Sequence, residues 1–396
     1  MEFKERLQDL MDQYFNDIKK LADDITSHPE LGGDEKYAME RYEEFFTGRG
    51  FTFEENYKEV PYAFLVRNKE SKGKKQAVLM SEFDALPEIG HACGHSISGS
   101  ISALAFLVLQ DLADELDFEV VLMGTPAEEI PGGKVALARN GAFDEYLFAA
   151  MVHLNNYTAA GTKALACTDR RFTFHGKSSH ASGNPQEGIN AVNGVRLSMD
   201  ALDMWRPHFP NGAQIHGMIT QGGVLPSIIP ELGEFSYYFR AVTLKEMNWL
   251  CDLAEDVVKG VAKATRTTVE IHQDYETYAD LSNTPIKIDT VTKILEELGE
   301  TVHPWDKNPA STDAGNVDQI IPTFHPLLRV PGAEKAELHS RDFAELMTSK
   351  GAYEALKMGA LLLATLFYKL GTQNKLLLSI IEEHKKYRRE TGELSE

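Results

Sequence analysis

Short apolar runs, each followed closely by polar side chains, set the strongest limit on how this chain can fold. Three such runs predict buried strands, and each leads to polar residues: 76–83 to Asp84, 118–124 to Glu128 and Glu129, and 147–152 to His153. Helices predicted over 97–113 and 133–140 separate these strands. The alternation predicts an α/β protein with a mixed central sheet flanked by helices and a site at the carboxyl ends of the strands.

The pentapeptide His-Ala-Cys-Gly-His at 91–95 adds potential ligands next to the first of these strands. Cys93 and His95 lie two residues apart in what we predict to be an irregular loop, so both side chains can point into one site. Thiolate and imidazole are ligands that zinc and similar ions accept. An alternative is that Cys93 is a small buried apolar residue and the histidines are capping groups.

Composition narrows the class of partner. The 396 residues carry 40 basic and 60 acidic side chains, a formal charge of −20, which argues against nucleic acid and anionic membranes as partners. Only three cysteines occur, far apart in the chain. They do not form a disulfide framework, so we expect a reducing, cytoplasmic location.

The pattern changes after Gly161 and divides the chain into domains. Residues 170–278 read as β-α-β-β-α-β, which predicts a ferredoxin-like α+β insert. We therefore predict a catalytic domain in two parts, 1–169 and 279–396, interrupted by this insert. Its second part is predicted to end in a helix over 341–370, followed by a charged, solvated helix.

The Glu128-Glu129 pair follows a predicted strand, where neighbouring side chains face opposite ways. One carboxylate can then bind a metal while the other reaches a water, although exposed loop acids are the simpler alternative for such a pair. His153 and His339 have similar alternatives, as a core residue and a surface cap. Together the candidates provide enough ligands for two metal ions joined by a bridging ligand. They are Cys93, His95, Glu129, His153 and His339.

Ordered sequence blocks over nearly the whole chain give it a resemblance to a known family. The blocks are DALP at 84–87, GHACGH at 90–95, GTPAEE at 124–129, VH at 152–153, FHGKSSH at 174–180, GGVLPSIIP at 222–230, YYFRA at 237–241, STDAGNV at 311–317 and the stretch around His339. The chain resembles the aminoacylase-like family of di-metal amidohydrolases (metallopeptidase clan MH). The branch it resembles most comprises p-aminobenzoyl-glutamate hydrolases and related dipeptidases.

The resemblance implies roles for the candidate residues. The five ligands would hold two divalent ions, zinc or manganese with cobalt as a further option. Glu128 would be the general base. Asp84 would orient a metal-ligating side chain without binding the metal itself. The insert would act as a lid and homodimerisation domain, on which His180 and Arg240 meet the substrate's carboxylate or the developing oxyanion. Alternatively, His180 is an exposed loop residue and Arg240 a strand residue paired with an acid.

Two positions depart from the family pattern. Ser96 stands where relatives usually carry Asp or Asn, and Ser227, a predicted substrate-binding residue, stands where they usually carry Asn. A serine is shorter and can reach a substrate through a water. These departures affect substrate recognition and leave the predicted metal site intact.

The reaction implied is hydrolysis of the amide bond of a small N-acyl or N-aroyl amino acid, such as p-aminobenzoyl-glutamate, through a metal-activated water. A dipeptidase of the same family is the alternative. A nucleophilic Cys93 would leave Glu129, His153 and His339 without roles. A non-catalytic metal-binding protein on this fold is the remote alternative, and retention of Glu128 with the full ligand set argues against it.

Overall fold

The computed structural model describes residues 3–69, 73–307 and 309–391. The chain forms two compact units, one made of Met1–Ala164 with Leu281–Glu396 and the other of Leu165–Asp280. The predicted insert, residues 170–278, falls within the second unit.

The first unit contains a mixed sheet and the helices around it. Its helices are α1 (Phe3–Ser27), α2 (Lys36–Thr47), α3 (His95–Asp111), α4 (Gly133–Arg139), α7 (Pro285–Leu298), α8 (Ala314–Asp318), α9 (Arg341–Glu345), α10 (Lys350–Thr372) and α11 (Asn374–Glu390). Its strands are β1 (Thr52–Glu55), β2 (Phe64–Arg67), β3 (Gln76–Ser81), β4 (Glu119–Gly124), β5 (Tyr146–Ala150), β6 (His153–Asn155), β11 (Thr323–Phe324) and β12 (Leu327–Arg329).

Six of these strands form the central sheet, in the order β1-β2-β4-β3-β5-β11. Strands β3, β4, β5 and β11 run parallel, and β1 and β2 add an antiparallel edge. Along β3, Leu79 packs into one apolar cluster while Val78 and Met80 pack into another. Both faces of the sheet are therefore covered, as parallel strands require. The predicted mixed α/β fold is confirmed.

The second unit is an antiparallel sheet with two helices. Its elements are β7 (Ala166–His175), α5 (Ala191–Trp205), β8 (Gln214–Gln221), β9 (Leu232–Ala241), α6 (Leu244–Thr265) and β10 (Thr268–His272). The strand order is β10-β7-β9-β8. Alternate residues of β9, such as Phe235 and Phe239, are buried against α5 and α6. The element order is the one read from the sequence, whereas the role of this unit as a lid stays a prediction.

Three local predictions were wrong. His95 is not in an irregular loop but begins α3, because Gly94 adopts a positive φ of 86° at the helix N-cap. The helix predicted over 341–370 breaks into α9, a 3₁₀ turn and α10, and the Ser349 side chain caps α10. The last helix, α11, is a surface helix but is not solvated on every side, since His384 and Arg388 are buried in it.

Among the described residues, α10 is the one helix long and apolar enough to cross a membrane. Of its most apolar window, 67% is buried inside the protein. Helix α10 packs against α1 and α3. A core helix has the same length and composition, so this feature alone does not indicate a membrane span.

Candidate metal centre

The first unit brings all five predicted ligands together beyond the ends of its strands. Cys93, Glu129, His153 and His339 line a cavity of about 590 Å³, together with Glu128. The fifth ligand, His95, is fully buried at the start of α3. The strands bring these residues together because parallel neighbours end at the same edge of the sheet.

The ligand atoms fall into two groups that share one thiol. In the first group, atoms of Cys93, His95 and His153 lie within 4.8 Å of one another. In the second, atoms of Cys93, Glu129 and His339 do the same. Two overlapping groups of thiol, imidazole and carboxylate fit a pair of divalent ions, which these five residues would hold.

The hydrogen bonds of the two buried histidines also fit a metal. His95 Nδ1 lies 2.8 Å from Asp84 Oδ1, and His153 Nδ1 lies 2.8 Å from the carbonyl oxygen of Leu154. Both acceptors hold the ring proton on Nδ1, which leaves Nε2 with a lone pair. His95 Nε2 is buried without a hydrogen-bond partner among the described residues. His153 Nε2 lies 3.3 Å from Cys93 Sγ.

The Glu129 carboxylate faces His339, with Oε1 3.2 Å from His339 Nε2. Burial raises the pKa of Glu129, but the hydrogen bond with His339 and the nearby His95 outweigh burial and lower it to about 2. His339 has a φ of 61°, and Ala127, just before the glutamate pair, has a φ of 57°. Non-glycine residues in this region are strained, and such strain clusters at functional sites.

Glu128 belongs to two groups, one with His95 and Glu129 and one with two other acids. It is 7% exposed, and one of its oxygens lies within 4.8 Å of carboxylate oxygens of Glu82 and Asp313. Burial, with the charges of Glu82 and Asp313 added, raises the pKa of Glu128 well above its ordinary value. A carboxylate with a raised pKa is a stronger base and is suited to accept a proton from a water.

Sequence reasoning missed the buried charges that surround Glu128. Lys134 is fully buried, with Nζ 2.6 Å from both Glu82 Oε1 and Asp313 Oδ1. Burial raises the pKa of Glu82, but the charges of Lys134 and His95 together outweigh burial and lower it to about 2. Asp313 lies in the STDAGNV block, which could have marked it. Nothing local distinguishes Lys134 from a surface lysine, because its partners are 52 and 179 residues away.

The other three predicted site residues lie in the second unit. His180 and Ser227 are exposed neighbours, because Ala181 N donates to the carbonyl oxygen of Ser227 at 2.9 Å. Gly183 N donates to His180 Nδ1 at 3.0 Å, so neutral His180 carries its proton on Nε2. Arg240 lies on β9 opposite Gln214. The roles of these residues toward a substrate stay predictions.

Comparisons with known proteins agree with the ligand chemistry. Residues 78–366 match the family described as Peptidase family M20/M25/M40. A mouse (Mus musculus) Xaa-Arg dipeptidase is 34% identical over 285 residues, 70% of this chain and 66% of that protein. Its human (Homo sapiens) counterpart is 30% identical over 88% of this chain and 84% of its own length. A p-aminobenzoyl-glutamate hydrolase subunit of Escherichia coli (strain K12) is 28% identical over 66% of this chain and 58% of its own.

Solved structures share the fold at low sequence identity. An aminobenzoyl-glutamate utilization protein from Klebsiella pneumoniae aligns with a TM-score of 0.73 and 16% identity, over 93% of this chain and 99% of that one. A Bacillus subtilis protein, described as a dinuclear metal binding peptidase from the M20 family, aligns with a TM-score of 0.67 and 16% identity, over 89% and 99%.

Proposed function

Because the chain belongs to peptidase family M20/M25/M40, whose characterised relatives are hydrolases of amide and peptide bonds, we propose that it hydrolyses the amide bond of a small N-acyl amino acid or dipeptide. The observation that carries the proposal is the division of labour in the glutamate pair. Both glutamates lie in a group with His95, but of the two only Glu129 also lies in a group with Cys93 and His339. Glu128 lies instead among buried acids that raise its pKa, which makes its carboxylate a stronger base.

The chain's own residues supply binding and proton transfer. Two divalent ions, when bound, supply Lewis-acid activation of a water and of the amide carbonyl. The Glu128 carboxylate accepts a proton from the attacking water and delivers it to the leaving nitrogen. Asp84 keeps the proton of His95 on Nδ1, and Leu154 does the same for His153. Lys134 balances the charge of Glu82 and Asp313 behind the base.

The proposal also gives residues of the second unit roles in binding the substrate and its oxyanion. His180 Nε2–H is a donor, because Nδ1 already accepts the backbone N–H of Gly183. A donor of this kind suits the oxyanion that forms on the amide carbonyl. We assign Arg240 to the free carboxylate of the substrate, for which a guanidinium is well matched, and Ser227 to a further contact with it.

The choice between the two substrate classes depends on the cavity's charge. N-acyl or N-aroyl amino acids are one candidate class, which follows the name of the Escherichia coli relative. The described residues that line the cavity include no Lys or Arg, and Glu337 is the acid among them that has no proposed role in metal binding or proton transfer. This lining favours the second class, dipeptides with a basic side chain, over substrates that would place a second carboxylate here. The names of the mouse and human relatives point the same way.

We also propose that the second unit acts as a lid and joins two copies of the chain. Strand β8 is an edge of its sheet and exposes Met218 and Ile219, at 66% and 48% of their surfaces. An exposed apolar edge strand is a liability unless something pairs with it or covers it. A twofold contact between two copies would cover both edges at once.

A metal-dependence assay with a substrate panel tests the activity. Protein stripped by a chelator should be inactive and should recover with zinc, manganese or cobalt. The panel should contain p-aminobenzoyl-glutamate, N-acetyl amino acids, and dipeptides ending in Arg, Lys or Glu. Full activity without metal would contradict the proposal, and so would inactivation by iodoacetamide that bound metal does not prevent, since this would indicate a nucleophilic Cys93.

A further inference from the structure

His325 lies in the wall of the cavity but takes no part in the ligand groups. It is 3% exposed and lines the cavity together with Thr162. Its ring stacks on that of His153, with centroids 5.6 Å apart and planes at 26°. Among the described residues, the groups of potential ligand atoms within 4.8 Å of one another do not include His325. Its buried imidazole therefore has no role in the proposed metal site beyond packing.

Thr162 determines which ring nitrogen of His325 carries the proton. Its Oγ1 lies 2.8 Å from His325 Nδ1 and 2.9 Å from the carbonyl oxygen of His325. A hydroxyl has one proton to donate. Both contacts are hydrogen bonds only if Oγ1 donates to the carbonyl oxygen and accepts from Nδ1–H. Neutral His325 then has a lone pair on Nε2.

This lone pair has no protein partner in the described part of the chain. Nε2 of His325 is buried and makes no hydrogen bond there. A buried acceptor without a partner costs free energy, and native proteins rarely leave one unsatisfied. Its position in the cavity wall points to a ligand as the missing donor.

We propose that His325 is a substrate-binding residue whose Nε2 accepts a hydrogen bond from an N–H group of the substrate. The donor is either the scissile amide N–H or, in a dipeptide, the free ammonium group. This inference rests on the proposed amide hydrolysis and makes it more specific: the site selects substrates that carry a nitrogen donor. Sites built to hydrogen-bond a polar group discriminate strongly against analogues that lack it.

Nitrogen NMR tests the tautomer without turnover. Zinc-loaded Glu128→Gln protein labelled with ¹⁵N-histidine should show His325 protonated on Nδ1 and unprotonated on Nε2. The signals are assigned by their loss in His325→Phe, and Thr162→Val should disturb this tautomer. Adding an amide substrate should shift the Nε2 resonance. Protonation of His325 on Nε2, or an Nε2 resonance that no substrate shifts, would overturn the inference.

Kinetics with four matched substrates identify the donor. They are an N-acyl amino acid, a dipeptide, and the ester of each in which oxygen replaces the scissile nitrogen. His325→Phe keeps a ring that can stack on His153 but removes the acceptor. With the scissile N–H as donor, kcat/KM should fall about tenfold for both amides and for neither ester. With the ammonium as donor, it should fall for the dipeptide and its ester alone.

Matched controls keep the outcome interpretable. His28→Phe alters an exposed histidine outside the cavity lining and should leave all four rates unchanged. Zinc content of His325→Phe should equal that of the wild type. An equal loss on all four substrates, or a loss of zinc, would overturn the inference in favour of a packing role. Failure of the proposed function would look different, since the wild-type enzyme would then cleave none of the four.

Discussion

His95 donates its Nδ1 proton to Asp84 Oδ1 across 2.8 Å, while the other oxygen of the same carboxylate accepts the backbone N–H of Glu129 at 2.9 Å. One side chain thus fixes a ligand from α3 and the backbone of a ligand beyond β4. All three residues belong to the first unit, and both Asp84 and His95 are fully buried. Asp84 therefore connects the ligand group that contains His95 to the ligand group that contains Glu129.

Replacing Asp84 with Asn should weaken metal binding while the fold persists. Asparagine has the same shape but no charge, so it stabilises the Nδ1–H tautomer of His95 less well. Partners of this kind typically change metal affinity by about 10- to 100-fold. Zinc titration against a competing chelator measures the change. The exposed Asp289→Asn on α7 is the control, and equal affinities in wild type and Asp84→Asn would refute the orienting role.

The glutamate pair should separate turnover from metal content. Glu128→Gln is expected to lower kcat by about 10²- to 10⁴-fold, the usual contribution of a general base, with metal content unchanged. Glu129→Gln should lose metal, because its carboxylate lies in the ligand group with Cys93 and His339. Elemental analysis beside single-turnover kinetics distinguishes them. The opposite pattern would mean that the two residues have exchanged roles.

The sequence could predict that the candidate ligands lie close together because their positions depend on local patterns. An apolar run predicts a strand, and the residues after that strand fall at the sheet edge, so Asp84, Glu128 and His153 could be placed without coordinates. Buried charges could not be placed this way. Lys134 and Arg388 look like surface residues in sequence, and each is buried by carboxylates far along the chain.

Helix boundaries show the same limit. The start of α3 depends on the positive φ of Gly94. The sequence does not show which glycines adopt a positive φ. The break before α10 had a readable signal in Ser349, whose hydroxyl caps the helix by accepting from Ala352 N at 3.2 Å. The Ser96 hydroxyl has a partner in the fold, since it lies 2.8 Å from Thr26 Oγ1. Thr26 Oγ1 donates its one proton to the carbonyl oxygen of Ala22, so Ser96 is the donor.

The proposed lid should be detectable in solution. We expect a dimeric mass at micromolar concentration and a more compact scattering profile when a non-hydrolysable substrate analogue binds. Met218→Glu on the exposed edge strand should weaken the dimer, because it places a charge in the apolar contact. His180→Ala should lower kcat more than it raises KM. A monomeric mass, an unchanged profile on binding and full activity in His180→Ala would together remove both dimer and lid.

A buried ion cluster anchors the last helix to the rest of the first unit. Asp318 accepts from Lys287 Nζ at 2.9 Å and is paired with the fully buried Arg388 of α11. His384 Nε2 lies 2.6 Å from the carbonyl oxygen of Asp318. Burial raises the pKa of Asp318, but Lys287 and Arg388 outweigh burial and hold it well below its ordinary value.

Arg388→Met should therefore destabilise the protein in a pH-dependent way. Removing one partner of a buried ion pair typically costs about 3–5 kcal/mol in the free energy of unfolding. Because the folded pKa of Asp318 is depressed, its stabilisation is present above the unfolded pKa of about 3.9 and is lost as pH falls through the folded value. The variant depresses this pKa less, so the difference from wild type should be constant above the variant's folded pKa and should narrow only as pH falls below it. Urea unfolding at pH 7 and at the lowest pH at which the wild type stays folded measures this, with the exposed Arg389→Met as control. A deficit of the same size at both pH values would show that Arg388 stabilises through packing, without the charge of Asp318.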